Sequence, residues 1–324
     1  MRLSSVLTGL GACAGAGALA GAGTLLYANR VGLTRFTTRI QQVELGGAAG
    51  SPLRILHISD IHYVPGQRKK VEWLKSLAAL EPDLVINTGD NLSHHDAGPE
   101  VLEALQPLLE LPGVFVPGSN DYYAPKRKNP LRYFRGPSQL DEDAVELPWQ
   151  DFFSGLEERG WVNLANATWS TGLAGRRLLF SGVDDPHIGL DEFQGWPEAP
   201  EGTGQAVRIG VAHAPVSSIL QQFAQPAPAA GNRSASAGSP AEDRSASADL
   251  VLCGHTHGGQ VCLPGGHALV TNCDLPRRQA KGLSSIRTPG GHEVPLHVSA
   301  GIGTSATAQF RLNCPPEATL LEIR

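Results

Sequence analysis

Cysteine is scarce in this sequence: five residues in 324, at positions 13, 253, 262, 273 and 314, with no Cys-x-x-Cys pair. That excludes a dense disulfide framework and a thiolate zinc site. The cysteines read as small buried hydrophobes, with a Cys262–Cys273 bridge left open for a domain outside the cytosol. No His-Glu-x-x-His occurs either. Metal-dependent peptidases and zinc deaminases therefore lose their signatures. Positive charge is not in excess: 26 Lys+Arg face 31 Asp+Glu, a formal net charge of −5. Nothing electrostatic draws such a chain to nucleic acid, and no nucleic-acid partner is expected. No basic amphipathic stretch marks a lipid-binding helix. A negative chain that holds a phosphate needs a local cation, and metal ions are the natural source.

Charge is also missing from Leu3 to Asn29, a run long enough to cross a bilayer but rich in Gly and Ala. A signal-anchor, a cleavable export signal and a disordered leader all fit it. Residues 1–29 are expected as that segment, 30–50 as a linker and 51–324 as one domain. Membrane contact through the segment places the chain in the cell envelope. Arg2 before the run, against Arg30, Arg35 and Arg39 after it, leaves the side of the membrane open. Hydrophobic content of 41% and charged content of 18% suit a substantial core.

Past the linker the pattern turns to strand, helix, strand. Leu53 to Ile58, Leu84 to Ile86 and Val114 to Val116 are short apolar runs, hence strands. Val71, Leu74, Leu77 and Leu80 repeat at helical spacing up to Glu81-Pro82, and Val101, Leu102, Leu105, Leu108 and Leu109 mark a second helix. Alternation of this kind argues for βαβ units and a largely parallel sheet. Beyond Trp161 the apolar runs crowd together: Leu178 to Phe180, Val207 to Val211, Leu250 to Cys253, Ala268 to Val270, Leu296 to Val298 and Thr319 to Ile323. They predict a second sheet packed on the first. Residues 224–248 are mostly Ala, Ser, Gly and Pro, too polar to offset their ordering entropy, and read as a disordered insertion.

Polar residues gather where the apolar runs end. Asp60 and His62 follow the first, Asp90 the second, and Ser119, Asn120 and Asp121 the third. His213 follows Val211, and His255 and His257 follow Cys253. An α/β sheet builds its site at this carboxyl edge. Residues i and i+2 after a strand face one way, so Asp60-x-His62 and His255-x-His257 each deliver two side chains together. Carboxylate plus imidazole suits Mn, Fe, Zn or Co, and Asp90 is of the type that bridges two such ions. Any one of these pieces arises by chance; their joint occurrence at strand ends argues for one site. Asp184-Asp185-Pro186-His187 follows another strand and is either pocket-lining or an ordinary acidic turn.

The order Asp60-x-His62, Gly89-Asp90, a loop at Gly118, His213 and Gly254-His255-Thr256-His257 resembles the calcineurin-like metallophosphoesterase superfamily. The longer string to Gln260 is similar to its membrane-associated bacterial phosphodiesterases. The resemblance implies a four-layer α/β sandwich of two packed, mixed sheets flanked by helices. It implies two divalent ions and a hydroxide between them that attacks a phosphoester, whose substrate would be lipid-linked if the chain sits on a membrane. It further implies that Asp60, His62 and His257 hold one ion, Asp90 bridges, and His213 with His255 holds the other. One motif departs. The family has Gly-Asn-His-Asp/Glu where this chain has Gly118-Ser119-Asn120-Asp121. Aligned without a gap, Ser119 falls on the ligand position and Asn120 on the histidine; a local shift lets Asn120 supply its amide oxygen, the better ligand for such cations, so Asn120 is the expected ligand, and Asp90, Asn120 and Asp121 are the expected catalytic set. The usual acid histidine is missing, a loss of about 10²–10⁴-fold if nothing replaces it. His94 and His95 are candidates for that role, or else solvated loop residues. The rival reading is a metal-binding envelope protein that no longer catalyses.

Overall fold

The computed structural model describes residues 19–45, 52–126, 143–201, 206–225, 247–288, 291, 293–304 and 308–324. Residues 1–18, which include the first part of the uncharged run, and most of the expected insertion lie outside that set. Each apolar run sits in a strand wherever it can bury both faces. Leu53–Ile58 forms β2, after an edge strand β1 at Thr37–Val43. Leu84–Asn87 forms β3, Gly113–Phe115 forms β4 and Trp161–Asn163 forms β5. Then come β6 (Thr168–Leu173), β7 (Arg176–Gly182), β8 (Ala206–Ala212), β9 (Leu250–Cys253), β10 (Gly282–Arg287), β11 (Glu293–Val298) and β12 (Glu317–Ile323).

The twelve strands of the described residues divide between two mixed six-stranded sheets. Their orders are β1-β12-β2-β3-β4-β5 and β10-β11-β9-β8-β7-β6. In the first, β2, β3, β4 and β5 run parallel and β12 inserts antiparallel to β2. In the second, β7, β8, β9 and β11 run parallel, with β6 and β10 antiparallel at the edges.

Period-two alternation along each strand assigns its side chains to two separate cores. Leu53 and Ile55 of β2 join Leu84, Ile86, Phe180, Ile209, Leu252 and Ile323 between the sheets. Leu56 and Ile58 point the other way. They meet α2 (Arg68–Ser76), α3 (Ala97–Leu109) and α5 (Trp149–Glu157) through Leu74, Val101, Leu105, Leu108, Phe152 and Leu156. On the far side of the second sheet, Val251, Leu296 and Val298 pack on α6 (Ser217–Ala224) through Ile219, Leu220 and Phe223. Helices, sheet, sheet and helix thus stack in four layers. A short fourth helix, α4, spans Ser119–Tyr122. Residues 19–30 are helical and constitute α1.

Several expectations change. The linker contains β1, which pairs in parallel with β12 from Thr37↔Glu317 to Val43↔Ile323. Strand β12, expected in the second sheet, lies in the first. The apolar run Ala268 to Val270 is not a strand; Ala268 makes one isolated bridge to Cys262. The α2 pattern breaks into a helix and a short 3-10 turn at Leu77–Leu80, closed by Glu81 at φ 47 just before Pro82. Cys253, Cys262, Cys273 and Cys314 are all free thiols, so no Cys262–Cys273 bridge forms. The ends of the expected insertion are anchored: Ala224 and Ala248 are both 1% exposed, and Ala248 N donates to Phe223 O at 2.8 Å. Among the described residues, no helix is long and apolar enough to cross a membrane.

One buried cation ties the segment after β11 to the rest. Arg311 is 1% exposed and donates to the carbonyls of Ala300 (2.7 Å), Gly301 (3.0 Å), Gly303 (2.6 Å) and Cys314 (3.2 Å). Truncation removes a donor from each of those carbonyls and leaves Gly301 O with only the Glu317 N–H. Arg311→Leu is therefore expected to lower unfolding stability by about 4 kcal/mol, read as a shifted urea midpoint. An unchanged midpoint would show that the carbonyls find other partners.

Candidate metal centre

All the parallel strands that surround the site end at one edge of the sandwich, and their loops carry the predicted residues. Asp60 and His62 follow β2, Asp90 follows β3, and Asn120 sits in α4 after β4. His213 follows β8, and His255 and His257 follow β9. The two sheets thus contribute from opposite sides. Asp60, His62, Asp90, His213, His255 and His257 are each 7% exposed or less.

Sharp backbone turns bring these side chains inward. Asp60 (φ 51), His62 (φ 42), Asp90 (φ 56), His255 (φ 68) and His257 (φ 50) all adopt left-handed backbone. That region is costly for residues with a Cβ, and such strain clusters at functional sites. Loop-to-loop bonds hold the turns: Asp60 N donates to Gly89 O (2.8 Å), His62 N to Asp90 O (2.9 Å) and Tyr63 N to Asn91 O (2.8 Å). Gly254 is required by crowding, since a Cβ there would collide with Ser59 Oγ and lie 2.7 Å from Asp60 Oδ2.

Two groups of donors converge, Asp60–His62–His257 and Asp60–Asp90–His213, the ligand atoms of each within 4.8 Å of one another. Asp90 Oδ2 lies 3.3 Å from both His62 Nε2 and His213 Nε2. His257 Nε2 is 3.8 Å from Asp60 Oδ1. His62 Nε2 and His257 Nδ1 are buried and make no hydrogen bond, which is unusual for ring nitrogens unless something else uses them. Carboxylates and imidazoles at these separations fit a borderline divalent cation.

Hydrogen bonds fix the tautomers on one side of the site. His213 Nδ1 lies 2.6 Å from the carbonyl of Thr88, which only accepts. A proton therefore sits on Nδ1, and Nε2 is the ring atom that faces Asp90; burial opposes charge on this ring, but the facing Asp90 carboxylate outweighs it and raises the His213 pKa well above its usual value. His255 Nε2 faces Asn272 O at 3.3 Å and His187 Nε2 at 2.6 Å. A proton on His255 Nε2 satisfies both, leaving His255 Nδ1, 3.3 Å from His213 Nε2, with its lone pair in the same space. Burial pushes the His62 pKa down to about 4 and the His257 and His255 pKa values well below the usual value, so these rings stay neutral. Burial raises Asp60 to about 6. For Asp90 burial acts upward too, but the facing His213 outweighs it and holds the carboxyl well below its usual range.

In the departing loop it is Asn120, not Ser119, that meets Asp90. Asn120 Nδ2 donates to Asp90 Oδ2 and Asn120 N to Asp90 Oδ1, both at 2.8 Å. Ser119 N instead donates to Asp185 Oδ2 at 2.6 Å. Asn120 thus reaches the cluster through its amide nitrogen, in place of the expected amide oxygen contact. Asp121, expected in the catalytic set, is turned into the protein. It is 0% exposed, and its carboxylate accepts from the backbone N–H of Gly118, Asp90, Asn91 and Leu92. Its work is to clamp the β3 and β4 loops together. Burial and the nearby Asp90 charge raise its pKa to about 7. His94 and His95 engage Asp96 on the surface, with side chains 48% and 70% exposed. The residue that does enter the site is His187, from the acidic segment after β7. Asp185 accepts its backbone N–H at 2.8 Å, and its ring stands edge-on to His255 at 4.0 Å.

The chain is similar to several known proteins. YaeI, a phosphodiesterase of Escherichia coli (strain K12), is 37% identical over 75 residues, 23% of this chain and 25% of that protein. The chain thus spans only a quarter of that relative's length. The uncharacterized metallophosphoesterase YkoQ of Bacillus subtilis (strain 168) is 26% identical over 283 residues, 86% of each chain. Among solved structures, a 5'-nucleotidase precursor from Thermus thermophilus overlays with a TM-score of 0.42 at 11% identity, covering 83% of this chain and 54% of that one. The calcineurin-like phosphoesterase model matches residues 53–259, the span from β2 through the His255–His257 loop. With that match covering most of the chain, the protein belongs to the calcineurin-like phosphoesterase family.

Proposed function

We propose that this chain is a phosphoester hydrolase that works with two divalent ions. The observation that carries the reading is the position of Asp90, one carboxylate oxygen 3.3 Å from an imidazole nitrogen on each side. Asp60, His62 and His257 would hold one ion; Asp90, His213 and His255 would hold the other, with Asn120 beside them. Such a pair of ions supplies positive charge for the phosphoryl oxygens and a water of lowered pKa as nucleophile.

The chain's own residues have separate tasks. Thr88 O fixes the His213 tautomer, and Asp121 fixes the loop that carries Asp90. Asn120, through its amide, holds the Asp90 carboxylate from the open side. His187 accepts a hydrogen bond from His255 Nε2, so that His255 Nδ1 faces inward as a donor atom. Metal-ligating histidines are commonly oriented by such outer partners. A phosphodiester agrees with the name given to YaeI, and phosphomonoesters belong in the same assay. The exposed Leu19, Leu25 and Leu26 of α1 support reading the N-terminal segment as membrane-facing and the chain as an envelope protein.

Two outcomes check this reading. Asp90→Ala is expected to reduce Mn content and to lower kcat/KM on bis(p-nitrophenyl) phosphate by at least about 10³-fold. Metal analysis and the assay are run on one preparation. Full turnover in that variant would sink the two-ion mechanism, and a wild-type protein that binds Mn but hydrolyses neither monoester nor diester would establish the non-catalytic rival. His187→Leu is expected to weaken the second Mn by about 10–100-fold in an electron paramagnetic resonance titration. His187→Gln, which retains an acceptor, restores most of it. Unchanged Mn affinity in His187→Leu would show that His187 does not orient His255.

A further inference from the structure

A cavity of about 670 Å³ opens beside the metal centre. Its inner wall is His62, Ser93 and Gly303. From there it runs outward between the start of α2 and the segment that follows α1. Its size falls within the roughly 300–1,000 Å³ of pockets that bury a whole organic ligand, far beyond what a phosphoryl group fills.

The lining has a definite chemistry. Leu33, Phe36, Val64 and Ile302 make it apolar, and Phe36 is braced by stacking on Trp73 with ring centroids 4.9 Å apart. Arg30, Arg68, Lys69 and Lys70 also line it, with no Asp or Glu. That one-sided charge stands against a chain whose net charge is −5. Lys70 is already committed: it is 6% exposed, and its Nζ donates to Ile61 O at 2.6 Å. Arg30, Arg68 and Lys69 are exposed and form no ion pair among the described residues. Apolar walls with free cations at the mouth complement an apolar chain that bears an anion.

We propose that this cavity receives one arm of the substrate, and that the substrate is an anionic amphiphile. Its scissile phosphodiester lies at the metal centre, an apolar chain fills the space along Leu33, Phe36, Val64 and Ile302, and a second negative charge meets Arg30, Arg68 and Lys69. This assignment rests on the hydrolase reading, but it concerns only what lies beyond the phosphorus. The sequence hid the site because its cations come from two places: Arg30 at the end of α1, and Arg68 and Lys69 at the start of α2.

The test uses the full chain loaded with Mn and three p-nitrophenyl phosphodiesters whose second arm is methyl, decyl or 10-carboxydecyl. KM is expected to fall along that series, by at least about tenfold from first to last, since each buried methylene and each charge contact adds binding free energy. In Arg68→Glu/Lys69→Glu the preference for the carboxydecyl over the methyl ester, taken as the ratio of kcat/KM values, is expected to collapse at least about tenfold. Leu33→Glu is expected to erase the decyl preference over methyl. Unfolding midpoints verify that each variant is folded. A common KM for all three esters, or a carboxydecyl preference untouched by the double reversal, would overturn the proposal. If the wild type hydrolyses none of them, the hydrolase reading fails. Calorimetry with undecanoate then decides the cavity alone: binding that the double variant loses supports it, and no binding to the wild type overturns it.

Discussion

Two buried carboxylates, Asp60 and Asp90, stand against four buried imidazoles, and the rest of the structure is arranged around that burden. Ionised carboxyls resist burial unless charge or hydrogen bonds compensate. Asp90 has His213 at 3.3 Å and two donors from Asn120. Asp60 has Ser59 Oγ at 2.6 Å and the backbone N–H of His255 at 3.0 Å. Two of the buried nitrogens left without hydrogen bonds, His62 Nε2 and His257 Nδ1, belong to the same cluster. A divalent cation completes such a set, which is why the site's donor chemistry and the family membership agree.

Support for the cluster reaches well beyond the ligands. The left-handed turns at Asp60, Asp90 and His255 persist only because neighbouring loops determine them. Asp121 binds four amides of the β3 and β4 loops, and Arg311 gathers the carbonyls after β11. Thr88 serves both sheets. Its carbonyl bonds His213, while its hydroxyl lies 2.9 Å from His57, which pairs with His297 between the sheets at 2.8 Å. Burial keeps His57 and His297 neutral. Substitution of these outer residues acts on the centre through geometry, because interiors are packed too densely to absorb a displaced loop.

The strands legible in the sequence were those buried on both faces. Leu53 to Ile58, Leu84 to Ile86 and Leu250 to Cys253 are continuous apolar runs, and the structure places each in a strand. Strands β1 (Thr-Thr-Arg-Ile-Gln-Gln-Val), β6 and β10 carry no such signal, since each is a sheet edge with much of its surface in solvent. The run Ala268 to Val270 misled in the opposite sense: it is apolar, but no neighbouring strand offers it a ladder.

The residue types that gather at the candidate centre were legible in the sequence. Asp, His and Asn directly after apolar runs emerge at strand ends, and a parallel sheet sets those ends on one edge, so the candidate ligands could be named from their places after those runs together with the family resemblance. Tertiary structure alone decided which groups do other work. Asp121 faces backbone amides while its neighbour Asn120 faces Asp90, because successive residues of one helical turn point in different directions. His187 joins the cluster, and Arg30 joins Arg68 and Lys69, only through the packing of segments distant in the chain. Such contacts leave no periodic trace in a linear sequence.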